Sequence, residues 1–315
     1  MEKPTKDLYI DADSWLYKCG FKQDERSWKC THPPTGRVMF CDKKKEPNQR
    51  NKEWVARKPD KRSLDDFVWE EVLLHTGSLE SAQKMFMSKV EYTVNGVGKH
   101  VNVRNVFICI GGEKNFRKDF PAKWVKYKDG RSSVRPTVFD DLRRWIKDSY
   151  KSKCIVSDNE ETDDVVVRAG FAGGVVACQD KDIPANCVGW LYNYDKDLFW
   201  YNSDKDRWCN FCTQMLVGDS IDKIPGVEKL SDEVKQKYGI TNNGVGDATA
   251  EKLLSGCATE KEAWERVIEA YSSSPVSTEE WKERMQENAF FLWMCREKGQ
   301  HFVLKDYLKG LGIDY

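Results

Sequence analysis

The chain has 315 residues and a mass of 36.5 kDa, with 40% hydrophobic and 32% charged residues. This composition excludes disordered and fibrous proteins and predicts a folded chain with one large domain or two modest ones. No run of 18 apolar residues occurs, and the first ten residues lack the apolar stretch of a signal peptide. We therefore expect a cytoplasmic protein without a membrane span. The eleven cysteines, an odd number, are expected to be reduced thiols.

The formal net charge is zero, but the charges are separated along the chain. Lys43 to Arg62 contains nine Lys or Arg against three Asp or Glu, and Glu113 to Lys153 contains thirteen against six. From Asp158 to Asp182 the balance reverses, with seven acids against two bases. Basic segments on both sides of an acidic pocket suit a polyanion held against a metal site. Taken alone, each segment is equally consistent with a solvated surface.

The first predicted strand is Leu8 to Ile10, an apolar segment that runs directly into Asp11 and Asp13. From Cys19 to about Arg62 the sequence is polar and basic, which predicts an excursion with little core of its own. Apolar residues between Leu64 and Leu73 then have the spacing of one helix face.

Three uniformly apolar segments follow, and each predicts a buried strand of a parallel sheet. They are VFICI, ending at Ile110, then KCIVSD and GGVVACQD. Between the last two, TDDVVVRAGFAG predicts a helix that begins at Thr162, so the unit is a right-handed strand-helix-strand crossover. The segment ENAFFLWMCREKGQHFVL predicts an apolar helix that closes a smaller helical domain, with Phe290 and Phe291 in its core.

Acidic side chains follow three of these strands. In open parallel sheets, ligand sites form beyond the carboxyl ends of the strands, so these acids are expected to gather at one edge. They are Asp11, Asp13, Glu161, Asp163, Asp164, Asp180 and Asp182. Farther along, Asp219 and Asp222 are three residues apart and would share one face if helical.

So many carboxylates in one pocket stay ionised only if cations neutralise them. A ligand set made of oxygen alone predicts Mg²⁺ or Mn²⁺ rather than zinc. Two such ions would activate a water and stabilise the leaving oxygen of a phosphodiester, so phosphodiester hydrolysis is predicted. A single acidic pair would be ordinary surface charge or helix capping, but three sets placed after strands favour the metal site.

Four acidic motifs, in this order and spacing, resemble those of the 5′-nuclease family, which includes flap endonucleases and the 5′ to 3′ exonucleases of tailed phages. IDAD resembles the first metal-ligand strand, ETDD the E-x-D-D element, DKD the D-x-D element and GDSID the G-D-x-x-D element. The resemblance implies that the ligands of two Mg²⁺ or Mn²⁺ ions are Asp11, Glu161, Asp163, Asp164, Asp180, Asp182, Asp219 and Asp222.

The family's fold is implied as well: an α/β core with a central, mostly parallel sheet flanked by helices, of the PIN-like 5′-nuclease type. The core would cover residues 1–205, and residues 206–315 would form a helical portion with a helix-three-turn-helix element that binds DNA.

The segment NFRKDFPAKWVKYKDGR resembles the family's mobile basic arch, placed here at about residues 112–135. The resemblance implies that Arg117, Lys128 and Arg131 contact the scissile phosphate as catalytic residues. Lys118 would bind DNA, and Tyr127 would stack on a base. The ordinary alternative is a solvated amphipathic helix.

IPGV and, later, GVGDATAEKLL are similar to the two halves of the helix-three-turn-helix element. Glycines there let the backbone approach a DNA phosphate closely, and the element holds a monovalent cation, here expected to be K⁺. The residues that carry this match as DNA-binding positions are Gly244, Val245, Gly246 and Thr249. Without that context, the second string would be a simple helix start.

One departure from the family follows the strand VFICI. Family members carry an aspartate about five residues before the Arg of the arch, where this chain has Gly111 and Gly112. Three explanations stay open: Glu113 substitutes, Asp11 holds its ion with more waters, or the activity is weakened.

A possible zinc site is offered by Cys19, Cys30, His32 and Cys41. These residues include no closely spaced C-x-x-C pair, so incidental cysteines are the favoured interpretation.

The resemblance implies a metal-dependent 5′ to 3′ exonuclease or flap endonuclease that cleaves DNA and, in an RNase H-like manner, RNA primers during phage replication and recombination. Its partners would be duplex DNA with 5′ ends, nicks or flaps, RNA–DNA hybrids and replication proteins, and it would be a monomer in the host cell cytoplasm. One alternative is a DNA end- or junction-binding protein of the same fold with weakened catalysis. Another is a sugar-nonspecific or RNA-directed nuclease of the wider PIN-like fold.

Overall fold

A computed structural model describes residues 2–41, 49–130, 134–276 and 279–315. Within these ranges the chain forms nine strands. They are β1 (Thr5–Asp11), β2 (Glu25–His32), β3 (Arg37–Cys41), β4 (Val68–His75), β5 (Asn102–Ile110), β6 (Cys154–Val156), β7 (Val175–Cys178), β8 (Gly189–Asn193) and β9 (Leu198–Asn202).

The same described ranges contain twelve α-helices. They are α1 (Asp13–Phe21), α2 (Gln49–Ala56), α3 (Leu79–Gly98), α4 (Phe139–Tyr150), α5 (Thr162–Phe171), α6 (Asp182–Asn186), α7 (Asp204–Val217), α8 (Asp232–Tyr238), α9 (Asp247–Leu254), α10 (Glu260–Ser272), α11 (Trp281–Leu292) and α12 (Leu304–Gly310). No helix among the described residues is long and apolar enough to cross a membrane.

Six strands form the central sheet in the order β6-β5-β1-β7-β8-β9. Every neighbouring pair is parallel except β8 and β9, which are antiparallel. The predicted mixed α/β fold with a mostly parallel sheet is therefore confirmed. All four apolar segments that predicted strands lie in this sheet, where burial on both faces suits continuous apolar runs.

Helix α5 packs across the middle of the sheet, against β1, β5, β7 and β8. Its valines, Val165 to Val167, are buried, and they share a core cluster with Val176 and Leu191. Burying one such side chain contributes roughly 1.5–3 kcal/mol, which outweighs the modest helix propensity of valine. This packing fixes the position of the helix, and therefore of the acidic turn at its start.

The chain divides into two compact units, and neither of them begins or ends near residue 205, where the sequence predicted a boundary. One unit comprises residues 1–13, 90–133 and 150–315, and the other comprises residues 14–89 and 134–149. The central sheet and the C-terminal helices fall in the same unit because α6 packs on α7. In addition, Asn186 donates a hydrogen bond to the Leu292 carbonyl over 3.0 Å and accepts one from the Met294 N–H over 2.9 Å.

The second unit contains a three-stranded antiparallel sheet of order β3-β2-β4. The helix predicted between Leu64 and Leu73 is therefore wrong, since most of this stretch forms β4. The excursion also has a small core, built from Cys30, Cys41 and Phe67. Local spacing could not reveal this sheet, because the partner strand β2 lies some forty residues earlier in the chain.

The four candidate zinc ligands make other contacts. The Cys30 and Cys41 Sγ atoms are 3.8 Å apart, while His32 Nδ1 lies 2.9 Å from Thr35 Oγ1. Cys19 lies in α1, and all eleven cysteines are free thiols.

The helices that follow residue 203 surround a second core of the first unit. Its members include Phe211 of α7, Trp264 of α10 and Phe291 of α11, all at most 2% exposed. Of the predicted apolar helix over residues 287–304, only residues 287–292 are helical as the end of α11, and residues 293–303 are not helical. Phe290 and Phe291 are core residues as expected.

Candidate active site

The strands that precede the acidic motifs end side by side. Asp11 at the end of β1 pairs in register with Cys109 of β5, and Ile110 of β5 pairs with Val156 of β6. On the other side of β1, Ile10 pairs with Ala177 of β7. Because these strands are parallel, the segments that follow them leave from one edge of the sheet.

The first acids are held by the junction between β1 and α1. Asp11 is 6% exposed, and its Oδ1 accepts a hydrogen bond from the Asp13 N–H over 3.3 Å. The Asp13 Oδ1 in turn accepts from the Gly111 N–H over 2.9 Å, which ties the start of α1 to the end of β5. The Tyr194 hydroxyl donates to the Asp11 carbonyl over 3.1 Å. Both carboxylates are thus fixed at the sheet edge.

The ETDD motif forms the start of α5. Glu161 is the N-cap, and its side chain and that of Asp164 form a capping box, in which the Glu161 N–H donates to Asp164 Oδ2 over 2.9 Å. This arrangement satisfies backbone donors that a helix start otherwise leaves free. Asp163, between them, is left to face the other acids.

Asp164 is fully buried and forms a bidentate ion pair with Arg117. The Nη1 and Nη2 atoms lie 2.7 and 2.9 Å from the two carboxylate oxygens, and the Cys295 N–H also donates to Asp164 over 2.6 Å. Two sequence predictions are corrected here. The Arg117 side chain has no exposed surface with which to contact a phosphate, and the Asp164 oxygens are already occupied by donors. The pair connects α5 to the segment predicted as the arch, at about residues 112–135, which we call the basic segment.

The DKD motif follows β7 directly. Asp180 is exposed and accepts a hydrogen bond from the Asp182 N–H over 3.0 Å, while Asp182 is buried. The carboxamide of Gln214, on α7, donates to Asp182 Oδ1. A buried side chain of α7 therefore orients one carboxylate of the site.

Asp219 and Asp222 lie in a tight turn rather than in a helix. The backbone of Asp219 exchanges two hydrogen bonds with Ile224, each 2.8 Å long. Its Oδ1 accepts from the N–H groups of Ile221 and Asp222 over 2.7 and 3.0 Å. Asp219 Oδ2 is 3.2 Å from the ammonium of Lys181. The turn keeps both acids together, although not by the helical spacing considered from the sequence.

Three carboxylates of the site have strongly raised pKa values. Burial and then the charge of Asp13 raise the pKa of Asp11 to about 7. Burial and then the charges of Asp11 and Asp180 raise the pKa of Asp163 well above its usual range. Burial and then the charge of Asp180 raise the pKa of Asp182 to about 7. Asp180 therefore acts on acids of both other motifs, which brings the motifs that follow β1, β6 and β7 into one electrostatic cluster.

Glu161 behaves in the opposite way because basic side chains reach it. Burial would raise its pKa, but the charges of Lys128 and Arg117 outweigh burial and lower it. The Lys128 ammonium bonds to Glu161 Oε1 and lies 3.8 Å from Asp222 Oδ2. The Lys128 N–H also donates to the Asp222 carbonyl over 3.0 Å. Lys128 thus lies beside the acids, where its predicted role requires it.

The donor set fits a hard divalent cation in its chemistry. Asp11 and Asp163 form no ion pair with a residue that the structure describes, and neighbouring acids raise both of their pKa values. The nearby ammonium groups interact with other members of the cluster, Lys181 with Asp180, Asp182 and Asp219, and Lys128 with Glu161 and Asp222. Carboxylate oxygens in this state are the donors that Mg²⁺ and Mn²⁺ take. As the side chains stand, however, no group of three or more Asp, Glu, His or Cys among the described residues is arranged to hold a metal ion. The ligands therefore have to close on the ion.

Gly112, where family members carry an aspartate, has no room for a side chain. Its N–H donates to the Ser157 Oγ over 2.7 Å, and a Cβ would lie 2.0 Å from the Ser157 carbonyl oxygen. Glu113, the substitute considered from the sequence, is exposed. An acid at position 112 would thus require the backbone to move.

The basic segment is anchored, not free, over the residues that the structure describes. Its only regular element in residues 112–130 is a short 3₁₀ helix, Phe116–Asp119. The Glu287 carboxylate accepts hydrogen bonds from the N–H groups of Lys123, Trp124 and Val125 over 2.7, 2.9 and 3.2 Å. One buried carboxylate of α11 thus satisfies three backbone donors of the segment, and the mobility of the arch stays a prediction.

The remaining residues predicted on this segment differ in their surroundings. Tyr127 stacks on Phe291 with ring centroids 4.7 Å apart, and its hydroxyl donates to Glu161 Oε2 over 2.8 Å. Tyr127 is half-buried with one ring face against Phe291, and its stacking on a base stays a prediction. Lys118 is exposed and available to a phosphate. Arg131 lies outside the described residues.

A basic groove opens beside the acids. It is a cavity of about 730 Å³ whose lining has four basic side chains, including Lys126 and Lys223, and three acidic ones, Asp129, Asp219 and Glu228. Arg284, also in the lining, is paired with Glu228. Positive side chains next to a carboxylate cluster can hold a phosphate backbone near bound cations.

The glycine-containing motifs flank α8. Gly226 of IPGV has a φ of +62°, and its hypothetical Cβ would be 2.5 Å from the Gly218 nitrogen, so only glycine fits there. Gly246 is the N-cap of α9, and its carbonyl accepts from the Thr249 N–H over 2.9 Å. Gly244 and Gly246 are exposed, Val245 is half-buried and Thr249 is buried. The exposed backbone N–H groups at the start of α9 form a surface that a phosphate can reach.

Comparisons with known proteins give structural neighbours only. No protein-family model matches the chain, and no curated protein matches it significantly. A pseudo-enzyme variant of the bacteriophage T5 flap endonuclease, in a product complex with DNA and metal ions, is similar with a TM-score of 0.35 and 12% identity. That match covers 67% of this chain and 90% of that one.

The same T5 protein co-crystallised with metal ions gives a TM-score of 0.36 and 13% identity, over 66% of this chain and 92% of that one. These neighbours are flap endonucleases, the family that the sequence motifs resemble. Both TM-scores are under 0.5, and the function proposed below therefore depends on the residues of the site.

Sequence motifs did not point to three residues that shape the site. Gln214 orients Asp182, Glu287 anchors the basic segment, and Ser157 closes the space beside Gly112. Gln214 and Glu287 are polar residues among the mostly apolar buried residues of α7 and α11, which is the signal that could have flagged them. Ser157 gave no such signal.

Proposed function

We propose that the chain is a divalent-metal-dependent 5′-nuclease that hydrolyses phosphodiesters of DNA, as a 5′ to 3′ exonuclease or flap endonuclease, and also those of RNA primers. The observation that carries the proposal is the buried pair Asp11 and Asp163 at one sheet edge, whose pKa values are raised by burial and by the charges of neighbouring acids, Asp180 among them. A soluble fold retains such repulsion where it holds metal ions against an anionic substrate.

The ligands fall into two groups that share Asp180. Asp11, Asp163 and Asp180 would hold one ion, while Asp180, Asp182 and the Asp219 turn would hold the other. When bound, Mg²⁺ or Mn²⁺ would lower the pKa of a water and neutralise charge on the phosphate. Gln214 keeps Asp182 oriented during this closure.

The basic side chains would act on the substrate. The Lys128 ammonium, now bonded to Glu161, lies within the acid cluster and would stabilise negative charge that develops on the scissile phosphate. Lys126 and Lys223 in the basic groove would hold the strand that leads into the site. Gly244, Gly246 and Thr249 at the start of α9 would contact the duplex backbone, and this segment would also hold a K⁺ ion that neutralises phosphate charge.

In this proposal the substrate is duplex DNA with 5′ ends, nicks or flaps, and RNA–DNA hybrids. Binding through phosphates predicts an affinity that is largely independent of sequence and falls steeply with salt. The proposal also states that the protein is a monomer in the host cytoplasm and acts with replication proteins of a phage.

The test uses a 5′-labelled flapped duplex with Mg²⁺ or with EDTA. We expect Mg²⁺-dependent release of short 5′ products, and we expect Asp163→Asn to lower the rate by a factor of at least about 100 because a ligand charge is lost. Asp306→Asn is the control, since Asp306 is exposed on α12 and outside the cluster. Cleavage by Asp163→Asn at the control's rate would contradict the site assignment.

A DNA end-binding protein without catalysis is the second candidate, and it is favoured by the closed space at Gly112. It predicts that the same flapped duplex is bound but not cleaved at any Mg²⁺ or Mn²⁺ concentration. A fluorescence anisotropy titration on the substrate of the cleavage assay separates the two functions.

A further inference from the structure

The end of β5 contributes no side chain to the acid cluster. Gly112 is blocked by the Ser157 carbonyl oxygen, 2.0 Å from where a Cβ would be. Gly111 has an ordinary backbone conformation, without a positive φ, so its lack of a side chain has another origin.

The space beside Gly111 is filled by the carboxylate of Asp13. A Cβ on Gly111 would lie 2.8 Å from Asp13 Oδ1, and 3.2 Å from both Cγ and Oδ2. All three carboxylate atoms therefore occupy the volume into which a side chain at position 111 would extend. The Gly111 N–H holds the group there through its 2.9 Å hydrogen bond to Oδ1.

We propose that Asp13, from the first turn of α1, supplies the carboxylate at the end of β5 and serves as a ligand of the ion that Asp11 helps to hold. The inference rests on the proposed function, because it concerns the same metal site. It also assigns a role to Gly111, which must lack a side chain so that the Asp13 carboxylate can occupy this place.

Two features suit Asp13 to this role. Its N–H bonds to Asp11 Oδ1 over 3.3 Å, so the two carboxylates belong to one turn of chain. Asp13 is also only half-buried, which leaves it within reach of a hydrated ion.

The test measures Mn²⁺ binding to metal-free protein by isothermal titration calorimetry, without any substrate. Asp13→Asn keeps an oxygen to accept from the Gly111 N–H but removes the charge. We expect its Mn²⁺ affinity at the tighter site to fall by at least about tenfold. Asp306→Asn is the matched control and should bind as the wild type does.

A second experiment moves the carboxylate from one position to the other. Asp13→Gly vacates the space beside Gly111, and the double variant Asp13→Gly/Gly111→Asp places an acid there from β5. Both variants carry the same glycine in α1, so they share any loss of helix stability. We expect the double variant to regain Mn²⁺ affinity to within about threefold of wild type, whereas Asp13→Gly alone stays weak.

The outcomes separate the inference from the function on which it rests. If wild-type protein binds no Mn²⁺, the proposed function is wrong. If wild type binds Mn²⁺ and Asp13→Asn binds it equally well, the function stands and the role of Asp13 is overturned. A double variant as weak as Asp13→Gly, with an unchanged circular dichroism spectrum, would overturn the proposal that the Asp13 carboxylate acts from the space beside Gly111.

Discussion

At Gly112, the addition of a single carbon atom is expected to lower the stability of the folded protein. Gly112→Ala places a Cβ 2.0 Å from the Ser157 carbonyl oxygen, a backbone atom that cannot turn aside. We expect a loss of roughly 1–3 kcal/mol in the free energy of unfolding, measured by urea denaturation.

The matched control is Gly310→Ala, since no atom lies within 4 Å of a Cβ at that glycine. It should change stability by less than about 0.5 kcal/mol. Equal stability of the two variants would contradict the close packing at Gly112.

The Asp164–Arg117 pair is a second place where the structure changes a prediction. Asp164→Ala would leave a fully buried guanidinium without its partner. We expect the free energy of unfolding to fall by about 3–5 kcal/mol, and urea denaturation measures this loss directly. Loss of nuclease activity in this variant would then follow from unfolding and not from a missing metal ligand.

The double variant Asp164→Leu/Arg117→Met distinguishes a buried pair from a site residue. It should be more stable than Asp164→Ala, because no unpaired charge stays in the core. If Asp164→Ala is instead as stable as wild type, the pair does not tie α5 to the basic segment.

At the scale of residues, the sequence predicted which acidic residues form the site better than it predicted the contacts that individual side chains make. The acids after the strands could be found because their position follows from strand ends alone. The burial of Arg117 could not, because a basic run has the same appearance whether a given side chain points to solvent or into the core. The pairing of Arg117 depends on Trp293 and Cys295, which are far away in the chain.

At the scale of elements, the start of α9 offers a test of the proposed duplex contact. Gly246 is its N-cap and has open space around it. Gly246→Asp should keep or raise stability, because Asp is a strong N-cap. We expect its affinity for duplex DNA to fall by about tenfold, since the new charge repels a phosphate at the helix start.

Gly246→Asn is the matched control, with a cap of nearly the same shape and no charge. It should bind duplex close to wild type in a fluorescence anisotropy titration at fixed salt. If Gly246→Asp binds as tightly as Gly246→Asn, the helix start does not contact the DNA backbone.

Elements were predictable where the signal was local. The strands of the central sheet are continuous apolar runs, and the end of α11 is buried and mostly apolar, so both could be predicted. Strand β4 could not, because residues such as Phe67 and Val72 satisfy a helical spacing as well as a strand. Pairing with β2 decided between the two, and that pairing is not local.

At the scale of the whole molecule, the acid cluster predicts an unusual dependence of stability on pH. The pKa values of Asp11 and Asp182 are raised to about 7 in the folded protein by burial and by neighbouring acids. Their contribution to the free energy of unfolding is therefore fully present below the ordinary pKa of an aspartate and is lost as pH rises through about 7. We expect metal-free protein to lose on the order of 2 kcal/mol between pH 5 and pH 8.

Thermal unfolding in EDTA at the two pH values measures this loss. Added Mg²⁺ should raise the melting temperature more at pH 8 than at pH 5, because the ion binds ionised carboxylates. A melting temperature in EDTA that is constant or rises with pH would contradict the raised pKa values.

The division into compact units could not be read from the sequence. Each unit is assembled from separated parts of the chain, such as residues 1–13 with residues 150–315. A composition shift near residue 205 marks a change of element type, but α6, α7 and the segment after α11 bury their side chains together across it.

The Glu287 carboxylate has a consequence for the motions of the basic segment. Because it accepts from three consecutive N–H groups, those of Lys123, Trp124 and Val125, none of these bonds is independent of the others. Withdrawal of one carboxylate frees all three donors in a single event. We therefore expect this part of the basic segment to open in one cooperative step, so that the three amides exchange with solvent hydrogen at one common rate.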